Sequence, residues 1–66
     1  GPMITFNNFK SENIKDTLDV CTMHLSVNAT VTEMKDDQYR IQHGERDFYV
    51  TDLESVVREL FYAAKN

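Results

Sequence analysis

The chain has 66 residues, of which eleven are Asp or Glu and seven are Lys or Arg, so its formal net charge is −4. Direct binding to nucleic acid needs a basic surface, and the acidic balance argues against it. The single cysteine excludes an internal disulfide, and no apolar run is long enough to cross a membrane. These features predict a small cytoplasmic protein whose charge either keeps it soluble or attracts a basic protein partner.

Gly1 and Pro2 precede the first methionine and are typical of a cleaved expression tag, so residues 3–66 are predicted to form one domain. A domain of this size buries only about 60% of the surface of its unfolded chain, which leaves a monomer marginally stable. Self-association is therefore an alternative that the length itself favours.

The first segment of the domain predicts a short strand followed by a short helix. Residues 3–6 are mostly apolar and predict the strand. Ser11 is placed to cap a brief helix in which Ile14 and Leu18 share one face, because residues four apart lie on the same side of a helix.

From Val20 onward, apolar residues recur at every second position, which is typical of a β-strand with one buried face. The apolar positions are Cys21, Met23, Leu25, Val27, Ala29 and Val31. This run is longer than the usual strand of about five or six residues. Residues 20–34 therefore predict either one long bent strand or two strands broken near Asn28, with Cys21 in the core.

The next turn contains Lys35, Asp36 and Asp37. A two-residue turn would turn Val31 toward the polar face of the sheet. A loop with an odd number of residues, or a bulge, places Val31 opposite Ile41 instead, and we therefore expect the odd-numbered loop.

A β-hairpin is predicted around a turn at Gly44-Glu45, because glycine tolerates the positive φ of the first central position of a type II′ turn. The pairing then runs from His43 opposite Arg46 to Tyr39 opposite Val50. It places one apolar set on a single face: Tyr39, Ile41, Phe48 and Val50. A single pairing register thus separates the apolar face of the hairpin from the opposite face, which supports a half-buried hairpin.

The segment after the hairpin predicts a C-terminal helix. Thr51-Asp52-Leu53-Glu54 matches a capping box, in which Thr51 accepts the backbone N–H of Glu54. Apolar residues then recur at helical spacing: Leu53, Val56, Val57, Leu60, Phe61 and Ala64. The predicted fold is therefore α+β, a small antiparallel β-sheet of three to four strands with the C-terminal α-helix packed on one face.

No residues predict a catalytic site, a cofactor or a metal centre. Cys21 and His24 have a zinc-like spacing, but on a strand they face opposite sides, and His43 is the one further candidate ligand. The chain also lacks a glycine-rich phosphate loop. We therefore expect a non-catalytic protein.

The remaining candidate functional residues are mainly acidic. We expect carboxylates at loops and at the start of the C-terminal helix to form a negative surface, with Tyr49 as an aromatic contact. The predicted partner-binding residues are Asp36, Asp37, Glu45, Asp47, Tyr49 and Asp52. The alternative is that these charges serve solubility alone.

The segment Asp47–Asn66, DFYVTDLESVVRELFYAAKN, resembles the strand-to-helix portion of a family of small phage anti-CRISPR proteins, acidic DNA mimics that inhibit Cas9. The resemblance spans about a third of the chain. It implies a phage-encoded protein that binds a host protein. The leading prediction is thus inhibition of a host nucleic-acid-handling or defence enzyme through its basic surface. The alternative is a structural or regulatory homodimer.

Overall fold

A computed structural model describes residues 3–35 and 37–65. The elements follow the order β1 (Ile4–Asn7), α1 (Glu12–Thr22), β2 (Ala29–Glu33), β3 (Tyr39–His43), β4 (Arg46–Val50) and α2 (Leu53–Lys65). The strands form one sheet in chain order, which confirms the α+β class. The predicted tag remnant at residues 1–2 lies outside the described residues, as does Asp36.

The sheet is mixed, so the prediction of a wholly antiparallel sheet is wrong. β1 pairs with β2 in parallel, with Ile4 opposite Ala29. Parallel neighbours need a crossover connection, and α1 supplies it. As predicted, Ser11 caps this helix, because its hydroxyl accepts the backbone N–H of Ile14 at 3.2 Å.

The predicted strand over residues 20–34 is wrong in its first half. α1 continues to Thr22, and only Ala29–Glu33 is a strand. The helical path buries Leu18 and Thr22 together, and the Thr22 hydroxyl donates to the Leu18 carbonyl at 2.7 Å, so no buried polar group is left unpaired there. Cys21 consequently lies exposed on α1, and its predicted place in the core is also wrong.

The antiparallel part of the sheet confirms the predicted registers. Val31 lies opposite Ile41, as an odd-numbered loop requires. The backbone N–H of Met34 donates to the Gln38 carbonyl at 2.7 Å and closes that loop.

The β3–β4 hairpin has the predicted pairing throughout, from His43 opposite Arg46 to Tyr39 opposite Val50. Gly44 has a φ of 59°, as the first central position of the turn requires. The turn chemistry and the alternation along both strands therefore agree on one register.

Both helices pack on one face of the sheet, and they contact each other there. The side chains buried between helices and sheet are Phe6, Leu18, Ala29, Val31, Tyr39, Ile41, Val56 and Leu60. The alternate residues of the strands form the opposite face, termed here the open sheet face. Its members are Thr5, Asn7, Thr30, Thr32, Arg40, Gln42, Asp47 and Tyr49.

The N-terminal cap of α2 is Asp52, so the prediction of Thr51 is wrong by one residue. The Asp52 carboxylate accepts the backbone N–H of Ser55 at 2.7 Å, and its carbonyl accepts that of Val56 at 3.2 Å. Aspartate is at least as good an N-cap as threonine, which is consistent with a cap at Asp52.

Candidate protein-binding surfaces

Three segments of the chain meet at one end of the sheet. Because β1 and β2 are parallel, the chain leaves both strands there, and β4 also ends there beside the start of β3. The first turns of both helices and the β2–β3 loop therefore lie together. Their carboxylates form a surface that is termed here the acidic end: Glu12, Glu33, Asp37, Asp52 and Glu54.

The pKa of Tyr39 is affected by the negative charge of the acidic end. Its side chain is buried and its ring stacks on Phe9, with 5.9 Å between the ring centroids. Burial raises the pKa of the phenol, and the charges of Glu33, Asp37 and Asp52 raise it further. These carboxylates come from different segments, so the fold has brought them close enough to act on one hydroxyl.

Hydrogen bonds hold part of the acidic end in place. The Glu33 carboxylate accepts the backbone N–H of Lys10 at 2.8 Å, which joins the β1–α1 loop to β2. Hydrogen bonds from the backbone N–H and hydroxyl of Ser55 hold the pKa of Asp52 below its ordinary value. The fold thus holds the carboxylates of Glu33 and Asp52 in place.

Nearby cations offset only part of this charge. Lys10 and Lys35 lie in the loops of the acidic end. Arg58 donates to Glu54 at 3.5 Å, and both side chains are mostly exposed, so solvent screens this pair strongly. The acidic end therefore keeps a negative balance.

The predicted partner-binding residues do not all belong to this surface. Asp37 and Asp52 lie at the acidic end, whereas Glu45 lies in the β3–β4 turn at the opposite end of the sheet. Asp36 is outside the described residues. The prediction missed Glu12, Glu33 and Glu54. Only the parallel pairing of β1 with β2 brings Glu12 to this end.

Asp47 and Tyr49 lie on the open sheet face. Arg40 donates two hydrogen bonds to Asp47, at 2.8 Å from Nε and 2.5 Å from Nη2. These bonds hold the pKa of Asp47 below its ordinary value and raise the pKa of Arg40. The opposite charges of Arg40 and Asp47 neutralise each other, so Asp47 adds little to the negative electrostatic potential of the protein. Tyr49 is exposed beside Arg40 on the same face.

An apolar groove lies between α1 and α2, and the sequence patterns did not indicate it. Its cavity measures about 280 Å³ and is lined by Asn13, Ile14, Thr17, Leu18, Cys21, Leu53, Glu54 and Val57. Glu54 belongs to both the groove and the acidic end, so the two surfaces are continuous. Ile14, Leu18 and Cys21 have helical spacing, which would have indicated this wall of the groove had residues 12–22 been interpreted as a helix.

Within residues 3–35 and 37–65, no three His, Cys, Asp or Glu side chains are grouped to hold a metal ion. In the same part of the chain, no helix is long and apolar enough to cross a membrane. No protein-family model, curated protein or solved structure matches the chain. The resemblance to anti-CRISPR proteins therefore stays a prediction.

Proposed function

We propose that this chain is a non-catalytic protein-binding domain that inhibits a host nucleic-acid-handling or defence enzyme. In this proposal it acts in the host cytoplasm as a small phage-type inhibitor and occupies the basic surface on which the enzyme holds nucleic acid. One observation carries the proposal: the acidic end and the apolar groove form a continuous surface along two helices.

The acidic end supplies long-range electrostatic attraction to a basic partner protein. Carboxylates facing a surface rich in Lys and Arg accelerate encounter and disfavour partners of like charge. The same charge repels the phosphates of DNA and RNA, so the proposed partner is a protein.

The groove supplies the part of the interface from which water is removed. Stable interfaces combine a desolvated core with a polar rim. Ile14, Leu53 and Val57 lie along the groove and are partly buried, which leaves apolar surface for a partner side chain to cover. Glu54 stands at the junction of this apolar strip and the carboxylates.

The test uses a purified Cas9-type nuclease with its guide RNA, because its nucleic-acid channel is positively charged. The protein should bind the nuclease, slow DNA cleavage, and bind more weakly as salt is raised. A parent protein that neither binds at low salt nor slows cleavage would contradict inhibition of this class of enzyme.

Two charge reversals locate the surface. The double variant Glu12→Lys/Asp37→Lys changes exposed positions at the acidic end, and it should slow association and flatten the salt dependence. Glu45→Lys changes an exposed carboxylate at the opposite end of the sheet and should leave binding unchanged. The double variant changes the net charge by four units and Glu45→Lys by two, so an effect of Glu45→Lys half as large as that of the double variant would mean that net charge, not the acidic end, drives binding.

The groove is tested separately with Thr17→Lys. Thr17 is exposed on α1 and lines the groove, and lysine is the better helix former, so α1 should stay folded. Gln42→Lys places the same charge on the open sheet face and serves as the control. Weaker binding of Thr17→Lys alone is the expected result, and unchanged binding would exclude the groove from the interface.

Self-association is the second candidate function. Met3, Val20 and Met23 have 66%, 67% and 79% of their surfaces exposed, although a small domain gains stability by burying apolar side chains. Met3 directly precedes β1, Val20 lies in the last turns of α1, and Met23 directly follows α1. Met3 and Met23 line one cavity with Ile4, and a homodimer that covers this side of the molecule would bury both methionines.

A further inference from the structure

β1 is a short edge strand without the charged side chains or proline that often protect the edge of a sheet. Its residues Ile4–Asn7 include no charged side chain and no proline. The other edge, β4, carries Arg46 and Asp47, and the Arg46 guanidinium lies 4.4 Å from the centroid of the Phe48 ring on the core side. Charges on an edge strand discourage pairing, so the two edges differ in their readiness to accept another strand.

We propose that β1 pairs in antiparallel orientation with β1 of a second copy of the chain, so that two sheets join into one of eight strands. This inference rests on the self-association proposed above and assigns its interface. We assign the added strand to a second copy of the chain because the edge of β1 and the helix α1 above it are each self-complementary about a two-fold axis.

The hydrogen bonds of β1 determine where this axis lies. The backbone N–H of Ala29 donates to the Met3 carbonyl at 3.1 Å, so Met3 directs its backbone groups toward β2. Because this direction alternates along a strand, Thr5 also faces β2, whereas Ile4 and Phe6 direct their N–H and C=O groups to the outer edge. An axis through Thr5 pairs Ile4 of each copy with Phe6 of the other.

The side chains are compatible with this register. Ile4 and Phe6 both lie on the core side, so the joined strands continue one apolar layer. Thr5 meets Thr5 of the second copy on the open sheet face, and threonine pairs across strands are favourable. No charged residues of β1 are brought opposite each other.

α1 adds charge complementarity to the same axis. Lys15 and Asp19 form an i, i+4 pair, with 3.5 Å between Nζ and Oδ2. Asp19 lies on the side of α1 above β1, because it lines a cavity of about 240 Å³ with Ile4. The axis makes the two copies of α1 antiparallel, so each Lys15 faces the other copy's Asp19.

The second copy would also cover apolar surface beside β1. The cavity that Asp19 and Ile4 line is also lined by Met3 and Met23, which are exposed, and by Leu25, which is half-buried.

Sedimentation equilibrium measures the association. The parent protein should form a dimer at micromolar concentration. Thr5→Lys places two lysines face to face at the axis, and it should raise the dissociation constant about tenfold or more, because like charges directly opposite each other oppose pairing. Gln42→Lys introduces the same charge on the same face but two strands away, and it should leave the constant unchanged.

A charge-exchange experiment tests the contact between helices. Lys15→Asp and Asp19→Lys each oppose like charges across the axis, so each variant alone should be largely monomeric. An equimolar mixture of the two variants restores opposite charges across the axis and should form a heterodimer. Both variants lack the Lys15–Asp19 pair within one chain, so recovery in the mixture can come only from contact between copies.

A disulfide test locates the axis. In a Cys21→Ser background, Thr5→Cys should be cross-linked by mild oxidation, because directly opposed residues of a non-hydrogen-bonded antiparallel pair lie within disulfide distance. Gln42→Cys in the same background should stay uncross-linked. A parent protein that is monomeric throughout the micromolar range overturns self-association and this interface together. A dimer that tolerates Thr5→Lys and gives no Thr5→Cys cross-link overturns the interface alone.

Discussion

The Asp52 carboxylate accepts the backbone N–H of Ser55 at 2.7 Å, and this bond begins α2 within the acidic end. One side chain thus serves both the fold and the proposed binding surface. The expectation that Asp52 follows the cap is wrong, because Asp52 is itself the cap. Asparagine separates the two roles, because it caps a helix about as well as aspartate but carries no charge.

The cap can be tested by substitution at two adjacent positions. Asp52→Ala should lower the melting temperature by several degrees because it removes the acceptor for an N-terminal N–H of α2. Asp52→Asn should retain most of the stability, and Thr51→Ala should melt close to the parent. Thermal unfolding followed by circular dichroism measures all three. A larger loss for Thr51→Ala than for Asp52→Ala would contradict this assignment.

The same carboxylate should make the protein sensitive to acid. The folded-state pKa of Asp52 lies below its ordinary value, which is about 3.9 in an unfolded chain. Its stabilisation is therefore fully present above that pH and is lost as the pH falls through the folded-state pKa. Urea unfolding between about pH 5 and pH 2 should show a steeper loss for the parent than for Asp52→Asn. Parallel curves would show that Asp52 does not contribute.

The core between α2 and the sheet depends on Leu60, which is fully buried. Leu60→Ala should destabilise the fold by roughly 2–5 kcal/mol, the range for a buried large-to-small change, and this is enough to unfold a domain of this size. Val20→Ala is the control, because Val20 is 67% exposed and should change stability by no more than about 0.5 kcal/mol. Urea unfolding compares them, and equal stability of Leu60→Ala and the parent would exclude the packing described.

Cys21 distinguishes the helix from the strand that the alternation predicted. It is exposed on α1, so the folded protein should react with a thiol reagent nearly as fast as the unfolded protein. Cys21→Ser should leave the melting temperature unchanged, since no core volume is lost. Protection of the thiol until unfolding would support a buried cysteine and contradict the helix.

The hairpin and α2 could be predicted from the sequence because the interactions that form them are local. Gly44 permits the turn, and alternation on both sides of it allows one pairing that puts Ile41 and Phe48 on the buried face. The spacing of Val56 and Leu60 likewise leaves one helical face for the core. The predicted cap differs from the observed one by one residue because Thr51 and Asp52 are both good N-caps, and propensity alone does not choose between them.

Residues 20–28 could not be assigned from pattern alone, since Cys21, Met23 and Leu25 satisfy a period of two while Leu18 and Cys21 also satisfy a helical spacing. The helix is favoured because it buries Leu18 and Thr22 together on the side of α1 that faces the core.

The sequence by itself thus determined the hairpin register, the C-terminal helix and the surplus of carboxylates. Only the tertiary structure decided which carboxylates meet. The parallel pairing of β1 with β2 brings Glu12 to the same end as Asp37, and the turn at Gly44 carries Glu45 to the other. That pairing joins segments more than twenty residues apart, so its register depends on how α1 packs across the sheet and not on any turn between the strands.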